Sequence, residues 1–266
     1  MDNNLLFAFA LPVIAGSFTG VGGLISLFVK NKNPEFLAIA LSFSAGVMIY
    51  ISFTEIFFEA LEASGNAFGS ENALFYAVVG FFGGILIISF IDKLIPHHNE
   101  KEILIKKEGD LNDSDKKSLE RTGIMTASAV AVHNFPEGII TFIAALHDPV
   151  LGIAIALAIA LHNIPEGIAV AMPLYYATGS RLKAIGIAFL AGMTEPLGAV
   201  AAYLFLMRIF NESIFGITFA AVAGIMVYVA FHQLLPASHK YGNHQTVMRS
   251  LFSGMLIMAI SLVIMG

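Results

Sequence analysis

The chain has 266 residues, of which 57% are apolar and only 12% are charged, and its formal net charge at pH 7 is −5. Soluble domains carry about 25% charged residues, so this composition excludes an ordinary soluble domain and indicates an integral membrane protein. The absence of cysteine from the sequence excludes disulfides and thiolate metal sites.

Eight apolar runs each contain the roughly 20 residues that a helix needs to cross a hydrocarbon core of about 30 Å. None shows the period-2 alternation of a membrane strand, so we predict an all-α integral membrane protein with eight transmembrane helices. The first run has no basic residues before it and is too long for a signal peptide, which indicates a retained helix. The predicted spans are approximately 5–29, 36–58, 72–91, 123–146, 150–173, 184–207, 214–236 and 247–265. We treat residues 1–266 as one transmembrane domain.

The basic residues predict the orientation of these helices through the positive-inside rule. With the N-terminus outside, every one of the 14 lysines and arginines except Arg208 falls in a cytoplasmic connection, and both termini face the exterior. The predicted outer face is acidic and would attract cations. Its acidic residues are Asp2, Glu59, Glu62, Glu71, Asp148 and Glu212.

The one long polar connection covers residues 92–122, between the third and fourth helices. Basic and acidic residues nearly balance there, which predicts a flexible cytoplasmic loop that is partly helical. His97 and His98 stand beside Glu100 in this loop. We interpret them as solvated histidines, and weak metal binding is the alternative.

Two internal similarities predict an inverted repeat of helices 1–3 and 6–8. The stretch GVMIYISF at 46–53 aligns without gaps with GIMVYVAF at 224–231. A second similarity has the same spacing in helices 1 and 6, and it joins Ala15, Gly16 and Gly22 to Ala191, Gly192 and Gly198. In the predicted orientation, helices 1 and 6 run in opposite directions, as do helices 2 and 7.

A polar motif occurs twice between the repeated triplets, as HNFPEG at 133–138 and as HNIPEG at 162–167. The two copies lie on the fourth and fifth helices, which a tight turn at 147–149 must make antiparallel. Both copies fall near the bilayer midplane. Residues three and four apart share a helix face. Each motif therefore forms a polar edge that can face the other edge, and the edges consist of His133, Asn134 and Glu137 and of His162, Asn163 and Glu166.

The prolines of both motifs remove backbone donors within the membrane. Pro136 cannot donate to the carbonyl of Val132, and Pro165 cannot donate to that of Leu161. We expect a kink in each helix. A free carbonyl at this depth is tolerated where protein or water meets it, which indicates a polar cavity.

A third glutamate, Glu195, lies inside the sixth helix in TEPLG. A carboxylate at the bilayer centre costs about 2.5 kcal/mol or more unless it is paired, and no lysine or arginine lies at comparable depth. Glu137, Glu166 and Glu195 are therefore either protonated or neutralised by cations. Imidazole, carboxylate and amide groups suit Zn²⁺, Fe²⁺ or Mn²⁺, and three acids favour a site for two metals or for a metal and a proton. The alternative is a set of structural hydrogen bonds between helices.

The paired HNxPEG motifs, the loop between helices 3 and 4, the eight helices and the outside termini resemble the ZIP (Zrt/Irt-like) metal transporters, in particular their bacterial ZupT-like branch. The resemblance covers essentially the whole chain. It implies a 3+2+3 helix arrangement and uptake of divalent metal into the cytoplasm across the inner membrane. The implied partners are divalent metal ions and the lipid bilayer, with no nucleic acid, and a homodimer stays open.

The resemblance also implies a binuclear site. Glu137 and Glu166 would bridge the two ions. The first ion would bind His133, Glu137, His162 and Glu166, with Met48 as a soft ligand, and the second would bind Asn134, Glu137, Asn163, Glu166 and Glu195. Zn²⁺ is the expected substrate, with Fe²⁺, Mn²⁺ or Cd²⁺ as further substrates. Glu55 could serve the uptake path and His232 the exit path. The inverted repeat suggests alternating access, while elevator-like and channel-like versions fit equally.

Two other functions are alternatives to transport. An intramembrane metal-dependent hydrolase would also need histidine and glutamate ligands, but each motif offers one histidine and lacks the HExxH signature. A metal sensor would need a folded output domain, and no soluble segment here is long enough for one. We therefore predict a transporter and not an enzyme.

Overall fold

The computed structural model describes residues 3–28, 34–94, 113–209 and 211–265. This part of the chain is all helical and contains no strand. Eight helices in it are long and apolar enough to cross a membrane, so the prediction of a multi-pass helical membrane protein is confirmed. His97 and His98 lie outside the described residues.

Three of the eight helices contain a π-helical segment, and one also contains a turn. We number them α1 to α8 along the chain. Their bounds are α1 Asn3–Ser26; α2 Pro34–Ile51, Ser52–Ile56 (π) and Phe57–Phe68; α3 Ser70–Leu94; α4 Asp113–His147; α5 Pro149–Thr178; α6 Arg181–Gly192, Thr194–Ala201 and Ala202–Leu206 (π); α7 Glu212–Val229, Ala230–Leu234 (π) and Leu235–Tyr241; and α8 His244–Met265.

The connection between α4 and α5 is a single residue, Asp148. Its carboxylate accepts hydrogen bonds from the backbone N–H groups of Val150, at 2.7 Å, and Leu151, at 3.4 Å, and so caps α5. Pro149 starts the helix, where its missing N–H costs nothing. These local features make α4 and α5 adjacent and antiparallel, as the sequence predicts.

α5 is the most enclosed of the eight helices. In the apolar stretch that could cross the membrane, 78% of the residues of α5 are buried, whereas only 28% are buried in α3 and in α8. The exposed side chains of α3 and α8 are large and apolar, as for Leu86, Phe90 and Val263, which suits contact with lipid. α5 packs against α1, α2, α4 and α6. The second polar motif therefore lies at the centre of the helix bundle.

Glycines bring the backbones of several helices into direct contact. α1 crosses α6 at Gly16 and Gly192, where a Cβ added at either residue would strike the carbonyl oxygen of the other. Further contacts of this kind pack α1 on α5 and α6 on α4. They join Gly22 to the carbonyl of Ile164, Gly198 to that of Phe135, Gly167 to that of Thr19 and Gly138 to that of Glu195.

α2 and α7 pack on the outer helices in the same manner. The contacts join Gly46 to the carbonyl of Leu251, Gly254 to that of Phe43, Gly224 to that of Phe81 and Gly84 to that of Ala221. Such close approaches are typical of membrane helices, where small residues allow backbones to meet.

The structure differs from the predicted spans in two ways, since several helices extend beyond their apolar runs and one is interrupted. α2 ends at Phe68, ten residues after its predicted span, and α5 and α7 end at Thr178 and Tyr241, five residues after theirs. α4 begins at Asp113, ten residues before the predicted apolar run, because its first turns are polar and extend the helix beyond that run. α6 is interrupted at Met193, where a continuous helix was predicted. Pro196 cannot donate to the carbonyl of Gly192, so the helix restarts at Thr194, and this proline lies in the first turn of the new helix.

Candidate metal centre

The two polar motifs meet through crossed histidine–glutamate pairs. The Nε2 atom of His133, on α4, lies 3.1 Å from a carboxylate oxygen of Glu166 on α5. The Nε2 atom of His162, on α5, lies 3.3 Å from the carboxylate of Glu137 on α4. All four side chains are essentially inaccessible to solvent. Each histidine thus pairs with the glutamate of the other helix, and the two polar edges face each other.

Asn163 connects this centre to α1 and α6. Its amide nitrogen donates to Glu195 at 2.5 Å and to the backbone carbonyl of Ala15 at 3.0 Å. Glu195 lies in the first turn of the helix that restarts at Thr194. The partial positive charge of a helix N-terminus favours a carboxylate there. The break in α6 therefore presents Glu195 to α5.

Many polar atoms of the centre have no hydrogen-bond partner in the part of the chain that the structure describes. They include both amide atoms of Asn134 and one oxygen or nitrogen each of His133, Glu137, His162, Asn163, Glu166 and Glu195. Buried polar groups are normally hydrogen-bonded, and leaving one without a partner costs about 1–3 kcal/mol. Imidazole nitrogens and carboxylate oxygens are also the atoms that bind Zn²⁺. The donor set is therefore chemically suited to divalent cations.

In the structure, the histidine and glutamate side chains of the centre form two separate pairs. Within the described parts of the chain, no three histidine, aspartate or glutamate side chains converge closely enough to hold one ion. The two pairs lie on the adjacent helices α4 and α5. The assignment of ligands to individual ions stays a prediction.

Met48 lies in the core of the bundle. Its side chain is fully buried, as is that of Met226, the residue aligned with it in α7. One turn before Met48, the hydroxyl of Ser44 donates to the backbone carbonyl of His162 at 3.3 Å. Sequence reasoning missed Ser44, although its spacing of four residues from Met48 places both on one face of α2. A ligand role for Met48 stays a prediction.

Glu55 and His232 both lie in π-helical segments. Glu55, in α2, is half-buried. His232, in α7, is exposed, and its Nε2 atom lies 3.3 Å from the carboxylate of Asp92, at the end of α3. Gln233 and Tyr228 also donate to that carboxylate, at 2.9 Å and 3.3 Å. A role for either residue on a transport path stays a prediction.

A cavity of about 200 Å³ leads away from the centre. His133 and Glu166 line its inner end. Its other lining residues include Met125 near the start of α4, Leu37 near the start of α2 and Lys240 at the end of α7. The cavity therefore extends from the histidine–glutamate pairs to the end of the bundle that carries the basic connections.

Comparison with known proteins gave concordant matches. Residues 96–262 match the model of the family described as ZIP Zinc transporter. Proteins named "Zinc transporter ZupT" are 49% identical in Chlorobium chlorochromatii (strain CaD3), over 99% of both chains, and 49% identical in Lysinibacillus sphaericus (strain C3-41), over 100% of both. The protein of the same name in Streptococcus mutans serotype c is 48% identical over 99% of both chains.

Proposed function

The chain belongs to the ZIP family of zinc transporters, and from this premise we propose that it takes up zinc through the centre formed by its two HNxPEG motifs. The family is one of transporters, so the chain is a transporter and not an intramembrane hydrolase. Its eight apolar helices make it a multi-pass membrane protein. The inner membrane is the membrane we propose.

The crossed pairs of His133 with Glu166 and of His162 with Glu137 carry the proposal. We propose that these four residues hold one ion and that Asn134, Asn163 and Glu195 hold a second, with Glu137 and Glu166 bridging both. Three carboxylates would then face two divalent cations, so the charges nearly balance. Oxygen and imidazole ligands bind zinc without the closed thiolate cage of a structural site, which suits an ion that must leave again.

An inverted repeat of α1–α3 and α6–α8 around α4 and α5 is the architecture we propose. Its support is that the glycine contacts occur in corresponding pairs. Gly22 on Ile164 corresponds to Gly198 on Phe135, because each glycine holds the same place in its repeat and each carbonyl the same place in its motif. The π-helical segments at Ser52–Ile56 and Ala230–Leu234 also coincide in the alignment of α2 with α7.

Alternating access is the mechanism we propose. Metal would reach the centre from the acidic outer face and leave through the cavity that leads to the basic, cytoplasmic end of the bundle. In this proposal, the cavity would belong to the conformation that is open toward the cytoplasm. We propose Fe²⁺, Mn²⁺ and Cd²⁺ as further substrates. Each of these ions should then compete with zinc for uptake.

Zinc uptake into proteoliposomes loaded with a fluorescent chelator tests the function. We expect saturable uptake by the unchanged protein and none by Glu137→Ala or Glu166→Ala at matched protein levels. Glu120→Ala, which removes an exposed carboxylate that pairs with Lys183 on the surface, is the control and should transport normally. Uptake indifferent to both motif changes would refute the site. No uptake by folded, unchanged protein would refute the function.

A further inference from the structure

Thr19 on α1 has a buried hydroxyl that no described residue satisfies with a hydrogen bond. Hydroxyls within helices commonly bond to the carbonyl four residues earlier, as those of Ser17, Ser42 and Ser52 do here. For Thr19 that carbonyl belongs to Ala15, which accepts a hydrogen bond from Asn163 instead. A buried, unsatisfied hydroxyl is costly, so this position needs a reason.

The surroundings of Thr19 are residues of the metal centre. Its carbonyl lies against Gly167, the neighbour of Glu166 on α5. Its hydroxyl faces Gly192 on α6, where a Cβ added to the glycine would lie 2.7 Å from the oxygen. Gly192 stands three residues before Glu195. Thr19 thus lies between the two helices that carry Glu166 and Glu195.

Thr19 is also the counterpart of Glu195 in the internal repeat. Each stands three residues after the glycine at which α1 and α6 cross, Gly16 or Gly192, and each packs its carbonyl on the glycine that ends one HNxPEG motif. In the internal repeat, the pair of Asn163 with Glu195 therefore corresponds to the pair of Asn134 with Thr19.

The two corresponding pairs differ in their hydrogen bonds. Asn163 donates to the Glu195 carboxylate at 2.5 Å, whereas neither amide atom of Asn134 has a partner. A threonine side chain is shorter than a glutamate side chain by two atoms, so the hydroxyl does not reach as far as the carboxylate does. Thr19 and Asn134 both carry polar atoms that nothing else in the described protein satisfies.

We propose that the hydroxyl of Thr19 is a ligand of the ion bound by Asn134, Asn163 and Glu195, on the side of the site opposite Glu195. The inference rests on the proposed transport function. Glu137, Glu166 and Glu195 bring three negative charges to two divalent ions, and a fourth carboxylate would neutralise both ions completely. A hydroxyl at this place supplies an oxygen without a charge, so binding stays weak enough for release.

Zinc uptake by Thr19→Val and Thr19→Ser proteoliposomes tests the inference. Valine keeps the shape and removes the hydroxyl, and we expect the apparent affinity for zinc to fall about tenfold, as on loss of a partner at a metal site. The maximal rate should change less than the affinity. Serine keeps the hydroxyl and should restore the affinity. Ser64→Ala is the matched control, since among the described residues Ser64 also has a buried hydroxyl without a partner but packs on Gly216 of α7.

Thr19→Glu provides a second test with the opposite sign, which also decides the matter if the valine variant fails to fold. The added carboxylate should raise the apparent affinity for zinc and lower the maximal rate, because tighter binding slows release. An unchanged affinity in Thr19→Val, or a loss in Thr19→Ser as large as in Thr19→Val, would overturn the inference. If the inference failed in this way while Glu137→Ala still abolished zinc uptake, the proposed transport function would stand without a role for Thr19.

Discussion

Substituting Gly138 by alanine should impair zinc uptake far more than it impairs folding. A Cβ added at this position of α4 would lie 2.5 Å from the carbonyl carbon of Glu195 and 2.7 Å from its Cα, whereas ordinary contacts are 3.4–4 Å. Neither atom belongs to a flexible side chain, so the α6 backbone itself must move by about 1 Å. The displaced residue is the glutamate that we assign to the second ion.

The two effects of this substitution differ in size. Overpacking costs about 1–3 kcal/mol, and the lower chain entropy of alanine offsets about 0.5–1 kcal/mol of it, so the net destabilisation is at most about 2.5 kcal/mol. Metal–ligand distances tolerate only about 0.2 Å. A shift of about 1 Å should therefore remove one ligand, and we expect zinc uptake to fall at least about tenfold.

The assay compares zinc uptake by proteoliposomes with thermal unfolding of the same protein in detergent. Gly186→Ala in α6 is the matched control, because a Cβ there would meet no atom of the described residues within 4 Å. It should transport normally and unfold at an equal or slightly higher temperature. Normal uptake by Gly138→Ala, or losses of uptake and stability shared equally by both variants, would refute the reasoning.

Three further substitutions have expected outcomes. Glu195→Gln keeps the size of the side chain but removes its charge, so zinc uptake should show an apparent affinity at least about tenfold lower, while an unchanged affinity would exclude Glu195 from the site. Met48→Leu preserves side-chain volume, and if the sulfur is a soft ligand, competition of Cd²⁺ with zinc uptake should weaken more than competition of Mn²⁺; equal effects would make Met48 a packing residue. Asp92→Asn replaces a carboxylate oxygen that accepts from Gln233 or Tyr228 with an amide donor, and the free energy of unfolding in denaturant should fall by about 1–3 kcal/mol. No change would show that these bonds contribute nothing net.

The number of helices and the meeting of the two motifs could be predicted from the sequence. Apolar length identifies a membrane helix directly, and the short turn at Asp148 leaves α4 and α5 no arrangement except as antiparallel neighbours. A spacing of four residues then places His133 and Glu137 on one face. These inferences depend on local geometry, which a single sequence contains.

Other features of the centre could not be predicted, because they depend on how helices cross. The contact of Ser44 with the His162 carbonyl joins residues 118 positions apart, and no local pattern indicates it. The break in α6 at Met193 was missed even though Pro196 signals one, since prolines inside α4 and α5 leave those helices continuous. The π-helical segments have no proline or glycine among their residues to indicate them.

The π-helical segment in α2 changes the rotational phase of that helix. A wider turn holds an extra residue, and one residue corresponds to about 100° around a helix axis. Before the segment, Pro34–Ile51 packs against α5, α7 and α8; after it, Phe57–Phe68 packs against α3 and α7. The segment thus lets one continuous helix pack on α5 and α8 before it and on α3 after it, while α7 contacts both halves. Deleting a single residue at 52–56 would rotate one half of α2 out of register with its neighbours, although the apolar length of the helix would hardly change.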